Sequence, residues 1–481
     1  MPAAGEVVFH SQDVLATSPG EVFALFGSRC DAGWFFGAVC EQPQPGALVR
    51  LDLPDPAHPG SQVEATGRLV CFEPNRLIVI EHETPWRGRV TCTLAPHGGG
   101  TRVRLVAEIG AEEIDWLLRA RGVPVGDEPS DPGTTPVGLL VSRTGPASVY
   151  AAATENLARL AIEEVNADGG VHGLKLRLVV ADDGTDAEKG ALAARRLVES
   201  AGCRAVITNV VSATFRAVEP VVAAAGGLLL YTPVNEGGRF GRRLFRFGER
   251  PAGQLRGSIP DLMRLTEAQR WFLAGNDYCW PRETNRCAER IIERSGGTVV
   301  GAHYAPLGTR DFAAVLDAIA TSSAELVVST FVGADEAAFE RQFYDSGLRG
   351  RCRTIAAALD EATREHVGDE AANGIWSVFG YFQQLRTSAN ASFLARYRKR
   401  FGPWAPPVSS LSESVYEAVY LAAEAARRAR SWEPDDVATA LLHGRYDGPR
   451  GPVAVGGPCE LRQEMYVAEA VPGGFAVRAT C

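Results

Sequence analysis

The spacing of apolar residues divides the chain into a strand-rich first part and a second part in which strands and helices alternate. In the first part, short runs alternate between apolar and polar residues and are separated by turn residues, which is typical of antiparallel strands. These runs are Val7–Val14, Ala47–Leu53, Gln62–Cys71, Arg76–His82, Gly88–Leu94 and Thr101–Ile109.

Helices are expected on both sides of these strands. Ser18, Pro19 and Glu21 have the residue types of an N-cap, a first helical position and a capping-box partner. Further helices are expected at Ala32–Val39 and Glu112–Arg121. The order of elements predicts an α+β domain at residues 1–122, in which strands precede a closing helix.

A segment without apolar periodicity separates the two parts. Val123–Pro136 is rich in proline, glycine and acidic residues, so it predicts a linker between residues 1–122 and 137–481. The second part begins with Val137–Ser142, an apolar run without alternation, as in a parallel strand buried on both faces. Strands and helices then alternate through Tyr344, which predicts a doubly wound α/β architecture with two lobes.

Composition and charge narrow the classes of function. The net charge of −9 over 481 residues argues against nucleic acid or an anionic membrane as a partner. The sequence contains no continuous apolar run long enough for membrane insertion. The N-terminal residues lack the basic and apolar regions of a secretory signal, so a cytoplasmic location is expected. The ten cysteines form no CxxC pair, which argues against zinc and redox sites.

Motifs of catalysis are missing from the sequence. It has no GxSxG, P-loop, HExxH or GxGxxG after a strand, so no catalytic residue, metal or cofactor is predicted. His82 lies between two glutamates, but on a strand their side chains alternate faces. The turn Asp182-Asp183-Gly184 is compatible with a metal or phosphate site and also with a helix cap.

Hydroxyl and aromatic residues follow several strands of the second part. In parallel sheets the carboxyl ends of the strands form the ligand-binding edge, so these residues predict a small-molecule cleft. Hydroxyls and helix N-termini suit a carbonyl or carboxylate oxygen. Two alternatives stay open at this point: Ser212 as a helix cap and Tyr278 as a packing residue. The segments are Ser142–Pro146, Val210–Thr214, Tyr231–Pro233, Asp277–Arg282 and Thr330–Gly333.

Residues 135–481 resemble the type I periplasmic-type solute-binding proteins, within the urea and short-chain amide branch of the branched-chain amino acid receptors. The stretch GNDYCWPRETNR at Gly275–Arg286 is similar to that branch's signature. Further similar stretches are SATFRAVEPVV, LLLYTPVNEGG, APLGTRDFAAVL and YDGPRGPV. The resemblance implies a hinged clamshell, with a first lobe at 137–255 and 383–445 and a second lobe at 256–382 and 446–481.

The resemblance also implies which residues hold the ligand. Ser212 would hold a carbonyl oxygen, Tyr278 and Trp280 would close over the ligand, and Asp335 would accept an N–H group. The sequence departs from the branch at Val210 and Asn235, where aromatic residues are usual, which implies a larger or less aromatic pocket. The ligand-binding set is Ser212, Tyr231, Thr232, Pro233, Tyr278, Trp280, Thr330, Val332 and Asp335.

The first part resembles the helix-grip fold of the START-like and polyketide-cyclase superfamily. The similar stretches are SPGEVFALF and the run from Phe72 to Ile109. In that fold a curved sheet wraps the last helix and leaves an apolar cavity. No site residue is carried over from this family to the present sequence.

Three functions are compatible with these observations. The first expectation is a cytoplasmic sensor that closes on a small polar ligand, an amide, urea or amino acid, and signals to a protein partner. The alternative is the substrate-binding component of an ABC transporter, with a permease as partner. The third is an enzyme acting through the START-like domain. The resemblance leaves a homodimer open.

Overall fold

The computed structural model describes residues 6–26, 35, 37–54, 62–110, 113–114, 116–117, 133–238, 241–457 and 459–480. The chain divides into two compact units, one comprising Met1–Glu128 with Gly402–Trp404 and the other Pro129–Phe401 with Ala405–Cys481. The division falls within the predicted linker 123–136. Residues 123–132 of that linker lie outside the described residues, whereas Thr134–Pro136 already belong to a strand.

Within its described residues, the first unit contains one antiparallel sheet. Its strands are β1 (Glu6–Leu15), β2 (Leu48–Pro54), β3 (Gln62–Glu73), β4 (Leu77–Thr84), β5 (Gly88–His97) and β6 (Gly100–Gly110). The order is β1-β6-β5-β4-β3-β2, so β2 to β6 form the predicted meander and β1 pairs with its last strand. The alternation along the strands places Leu69, Ile78, Ile80 and Leu94 in the core.

The helix Pro19–Ala24 starts as the sequence predicts. The Ser18 hydroxyl accepts from the Glu21 N–H, and the Glu21 carboxylate accepts from the Ser18 N–H at 3.0 Å. Of the predicted helix Ala32–Val39, residues 32–34 and 36 lie outside the described residues, and the prediction is wrong for residues 35 and 37–39, which are not helical, because Val39 forms a β-bridge with Arg50. Of the predicted closing helix Glu112–Arg121, only 113–114 and 116–117 are described, and they are helical. The helix-grip fold therefore stays a prediction.

The second unit contains two α/β lobes, as predicted. The sheet of the first lobe is built from β7 (Thr134–Val141), β8 (Lys175–Asp182), β9 (Ala205–Asn209), β10 (Leu228–Tyr231), β11 (Leu244–Arg246), β17 (Arg445–Gly448), β18 (Gly451–Gly456) and β19 (Glu460–Arg462). Its order is β17-β18-β19-β11-β10-β9-β7-β8, with β7 to β11 parallel. Successive residues Leu139 and Leu140 enter different apolar cores, which explains the run without alternation.

The sheet of the second lobe has the same parallel character. Its strands are β12 (Arg270–Asn276), β13 (Thr298–Ala305), β14 (Leu326–Thr330), β15 (Arg353–Ala356), β16 (Trp376–Phe379), β20 (Tyr466–Val471) and β21 (Gly474–Thr480). The order is β13-β12-β14-β15-β16-β20-β21, and the last two strands run antiparallel to β16 and to each other.

Helices cover these sheets. The α-helices are Ala151–Ala167, Ala187–Arg195, Ser212–Ala224, Pro251–Thr266, Cys279–Arg294, Ala313–Thr321, Gly333–Asp345, Glu361–Val367, Asp369–Ala372, Ser388–Phe401, Ser410–Ala429 and Pro434–Leu441. Short 3₁₀ helices form at Pro146–Tyr150 and Leu348–Gly350, and a π-helical turn at Arg196–Ser200.

The lobe boundaries differ from the sequence prediction at two places. The strands β18 and β19, predicted in the second lobe, extend the first sheet, because β19 pairs with β11 at Arg246 and Glu460. The hydrophobic pattern of an edge hairpin does not distinguish between two similar sheets. Leu255, predicted in the first lobe, packs in the core of the second with Trp271, because its helix has already crossed over.

The chain crosses between the lobes three times, near Glu249, near Gly380 and near Gln463. A buried group of charged side chains contacts all three crossings. Glu249 lies on the first crossing, and its carboxylate accepts from the N–H of Gly380 on the second at 2.9 Å. Arg450 contacts Glu249, Glu413 and Glu417, and its guanidinium also hydrogen-bonds Gln463 on the third crossing. All four charged side chains are at most 1% exposed. We call Arg450, Glu249, Glu413 and Glu417 the hinge cluster.

Candidate ligand-binding site

The segments that follow strand ends in the two lobes meet in one apolar cluster. Tyr150 and Val211 come from the first lobe, and Trp280, Val332 and Leu359 come from the second. These residues follow β7, β9, β12, β14 and β15 at their carboxyl ends, where ligands of such sheets bind. The candidate site therefore lies in the cleft between the lobes.

Tyr150 connects the two lobes directly. Its phenol oxygen accepts from the N–H of Gly333 at 2.8 Å and from the Thr363 hydroxyl at 3.3 Å. Gly333 has a φ of +55°, and a Cβ at this position would lie 2.2 Å from the Pro146 carbonyl oxygen. The close approach of the two lobes thus requires a glycine at position 333.

A chain of hydrogen bonds lines the first-lobe side of the cleft. Ser212 is the first residue of its helix, with Val211 as N-cap, so the alternative of Ser212 as a helix cap is wrong. The Ser212 hydroxyl donates to a Glu236 carboxylate oxygen at 2.7 Å and lies 3.0 Å from the Tyr231 hydroxyl. The second Glu236 oxygen accepts from Arg216 at 3.0 Å.

Aromatic rings form the walls beside this chain. Tyr231 stacks on Phe215 with ring centres 3.9 Å apart. Burial raises the pKa of Tyr231, and the Glu236 charge raises it further, so the phenol keeps its proton. Tyr278 is half-buried, and burial followed by the nearby Tyr231 and Tyr150 raises its pKa well above the usual value.

Trp280 is fully buried in the cluster between the lobes, at 1% exposure. Its indole N–H has no hydrogen-bond partner among the described residues. A buried donor without an acceptor is unfavourable, so this group is suited to an oxygen atom of a ligand. Trp280 belongs to this cluster and Tyr278 packs against it, and the closure of the two rings over a ligand stays a prediction.

The remaining predicted site residues make hydrogen bonds or packing contacts within their own lobes. The Thr232 hydroxyl donates to the Thr208 carbonyl and accepts from Asn209, both at 3.1 Å. Pro233 is buried next to it, and Gly248 packs against its carbonyl group. The Thr330 hydroxyl donates to the Ala274 carbonyl at 3.0 Å.

Asn276 organises the second-lobe loops that contain Val332 and Asp335. Its side-chain oxygen accepts from the Val332 N–H at 3.0 Å, and its amide donates to Asp335 at 2.7 Å. Asp335 also accepts from the Gly308 N–H at 2.8 Å. Burial raises the Asp335 pKa to about 6, while these hydrogen bonds lower it. Asp335 thus fixes the loops, and a ligand role for it stays a prediction.

The sequence reasoning missed three residues of the cleft: Tyr150, Glu236 and Asp360. Tyr150 follows the first strand segment at Ser142–Pro146, so a longer window would have included it. Glu236 stands out in the sequence only as the neighbour of Asn235. Asp360 caps the helix Glu361–Val367 and is fully buried, which raises its pKa. Its capping position after β15 is visible in the sequence, but its burial is not.

The described residues contain no group of three or more potential metal ligands. None of the described helices is long and apolar enough to cross a membrane. The structure describes eight cysteines, and none of these eight forms a disulfide bond.

Comparison with known proteins assigns this architecture to a family. A family model described as periplasmic binding protein matches residues 134–474. A Leu/Ile/Val-binding protein, BraC3, of Rhizobium johnstonii is 24% identical over 326 residues, covering 66% of this chain and 85% of that protein. The chain belongs to the periplasmic binding protein family.

Solved structures agree with this fold. A branched-chain amino acid transporter substrate-binding protein, LivJ, of Streptococcus pneumoniae, in complex with isoleucine, has a TM-score of 0.63 at 19% identity, covering 72% of this chain and 98% of that one. An ABC transporter solute-binding protein of R. palustris in complex with benzoate has a TM-score of 0.65 at 19% identity, covering 72% and 96%. The relatives are solute-binding proteins rather than enzymes, and they support the transporter alternative better than the cytoplasmic sensor.

Proposed function

We propose that the second unit is the substrate-binding component of an ABC transporter and that it closes its two lobes on a small polar ligand such as an amino acid. The observation that carries this proposal is the cluster between the lobes, in which Tyr150 bridges to Gly333 and against which Tyr278 packs. Ligand clefts are usually lined by aromatic rings together with a few polar groups. Here the polar groups are hydroxyls and a buried indole N–H near the carboxyl ends of strands.

The names of the relatives support the same class of ligand. One is a Leu/Ile/Val-binding protein, and one solved structure holds isoleucine. The amide and urea ligands of the sequence analysis, the cytoplasmic location and the homodimer stay predictions.

Thermal unfolding of the full-length protein tests the proposal. We expect L-leucine, L-isoleucine or L-valine at about 1 mM to raise the midpoint, since a micromolar ligand at that excess adds about 4 kcal/mol. Ser212→Ala and Tyr278→Ala should abolish the shift, whereas Ser295→Ala, outside the cleft at the end of its helix, should keep it. Equal shifts in all four proteins would contradict the proposed site.

A further inference from the structure

On the first-lobe side of the cleft, the direction of the hydrogen bonds determines which kind of ligand group can bind there. Ser212 donates its only hydroxyl proton to Glu236, so the hydrogen bond between Ser212 and Tyr231 must use the Tyr231 proton. Both hydroxyl protons therefore take part in hydrogen bonds within the protein. The oxygens of Ser212, Tyr231 and Glu236 offer only lone pairs to a ligand.

The cations near Glu236 are also engaged. Arg216 pairs with Glu236 itself and is 63% exposed, on the solvent side. Arg250 donates to the backbone carbonyl of Glu236 and pairs with Glu460. Arg246 lies 4.0 Å from Glu219. Glu460 and Glu219 compensate the charges of Arg250 and Arg246. Arg216 lies on the solvent side and occupies one Glu236 oxygen, so further lone pairs of this carboxylate remain for a ligand.

Aromatic walls and a half-buried carboxylate form a suitable environment for a cation. The Glu236 side chain is 11% exposed, so water screens its charge little. Tyr231 and Tyr278 lie close enough for the Glu236 charge to act on both phenols. Ring faces attract ammonium groups, and a neighbouring carboxylate strengthens that attraction.

We propose that Glu236 is the specificity-determining residue of the cleft and that it selects ligands carrying a protonated amino group over ligands that are only carboxylates. This inference rests on the proposed function, because it concerns the same cleft. Such selection would distinguish the ligand of this chain from that of the structural relative in complex with benzoate. A ligand carboxylate placed at Ser212 would lie close to the Glu236 carboxylate and be repelled by it.

Matched probes test the inference by isothermal titration calorimetry on the full-length protein. The pairs are benzylamine with benzoate, and 3-methylbutylamine with 4-methylpentanoate; L-leucine carries both groups. We expect L-leucine and at least one amine to bind, with the paired carboxylate at least tenfold weaker. Glu236→Gln should weaken the amine at least tenfold. Glu199→Gln, which removes an exposed carboxylate paired with Arg195 on the same lobe, should not change it.

The outcomes separate this inference from the proposed function. Tighter binding of a carboxylate than of its paired amine would overturn the inference and leave the receptor function standing. Unchanged amine affinity in Glu236→Gln, with an unfolding midpoint like that of wild type, would also overturn it. Failure of all five compounds to bind folded wild-type protein would contradict both proposals. The wild-type comparison decides the question even if Glu236→Gln does not fold.

Discussion

The cleft and the hinge cluster both bring arginines and glutamates together. They differ in how deeply the side chains are buried and in the ratio of carboxylates to guanidinium groups. In the cleft, Glu236 pairs with Arg216, which is 63% exposed. In the hinge cluster, Arg450 forms ion pairs with three glutamates, and none of the four side chains is more than 1% exposed. The cleft carboxylate thus stays available to a ligand, whereas the hinge carboxylates are buried against Arg450 and other groups of the fold, such as the Gly380 N–H that donates to Glu249.

The difference shows that similar residues stabilise the fold at one place and select a ligand at another. One guanidinium does not neutralise three carboxylates, and burial raises the pKa of Glu413 and, well above the usual value, that of Glu417. Burial therefore favours the protonated forms of Glu413 and Glu417. A perturbed buried acid need not mark a binding site.

The largest effect is expected from Arg450→Met. This change leaves Glu249, Glu413 and Glu417 buried without their cation, which should lower the free energy of unfolding by about 3–5 kcal/mol. The measurement is denaturant unfolding. The control is Arg478→Met, which removes an exposed ion pair with Glu469 and should cost less than about 1 kcal/mol. Similar losses of unfolding free energy in both variants would show that the hinge cluster stabilises the fold no more than an exposed ion pair does.

The pH dependence of stability should be the next largest effect. Burial raises the pKa of Glu417 well above its usual value, so the folded protein keeps this proton to a higher pH than the unfolded chain, in which the side chain ionises above about pH 4.5. Its contribution is fully present below that value and is lost as the pH rises toward the folded pKa, by about 1.4 kcal/mol per pH unit.

Glu417→Gln isolates this effect. The variant mimics the protonated side chain, so its unfolding free energy should fall less steeply between pH 5 and pH 8 than that of wild type. It should also be more stable than wild type at pH 8. A wild-type slope unchanged by Glu417→Gln would mean that another group holds the proton.

Gly333→Ala should affect the cleft rather than the hinge. The added Cβ collides with the Pro146 carbonyl and hinders closure of the lobes, so affinity for L-leucine should fall at least tenfold. Gly347→Ala is a matched control, because Gly347 also has a positive φ, +76°, but a Cβ added there would meet no atom within 4 Å. Calorimetric titration of both variants decides this, and equal affinities would contradict closure at Gly333.

The smallest effect is expected from Tyr150→Phe. It removes the oxygen that accepts from Gly333 and Thr363, which should weaken ligand binding about threefold to tenfold. The stability of the ligand-free protein should change less than in Arg450→Met. Tyr344→Phe, on the exposed side of its helix, should leave binding unchanged. Stronger binding in Tyr150→Phe would show that the contact opposes closure.

The sequence predicted much of the fold because its signals are local. The runs around Leu139 and Ser18 have the periodicity and capping residues of the strand and helix that form there. Pro136 is misleading, because its neighbours predict the end of a linker, yet it lies within β7 near the start of that strand. Residues 446–462 could not be assigned because strand pairing is a long-range property.

The candidate site was predictable only as far as strand ends determine it. Ser212 and Tyr278 follow strands and Tyr231 is the last residue of β10, and the fold brings these strand ends together. Thr232 and Thr330 share the same pattern, yet their hydroxyls bond neighbouring strands. The contact of Glu236 with Ser212 depends on the path of a loop, and that of Tyr150 with Gly333 on closure of the lobes.

The most direct test of ligand selection by Glu236 is a crystal structure with bound benzylamine or L-leucine. We expect the ligand between the lobes, with its amino nitrogen within hydrogen-bond distance of the Glu236 carboxylate and beside Tyr231 and Tyr278. A ligand outside this cleft, or one whose carboxylate contacts Ser212 with Glu236 turned away, would contradict this selection.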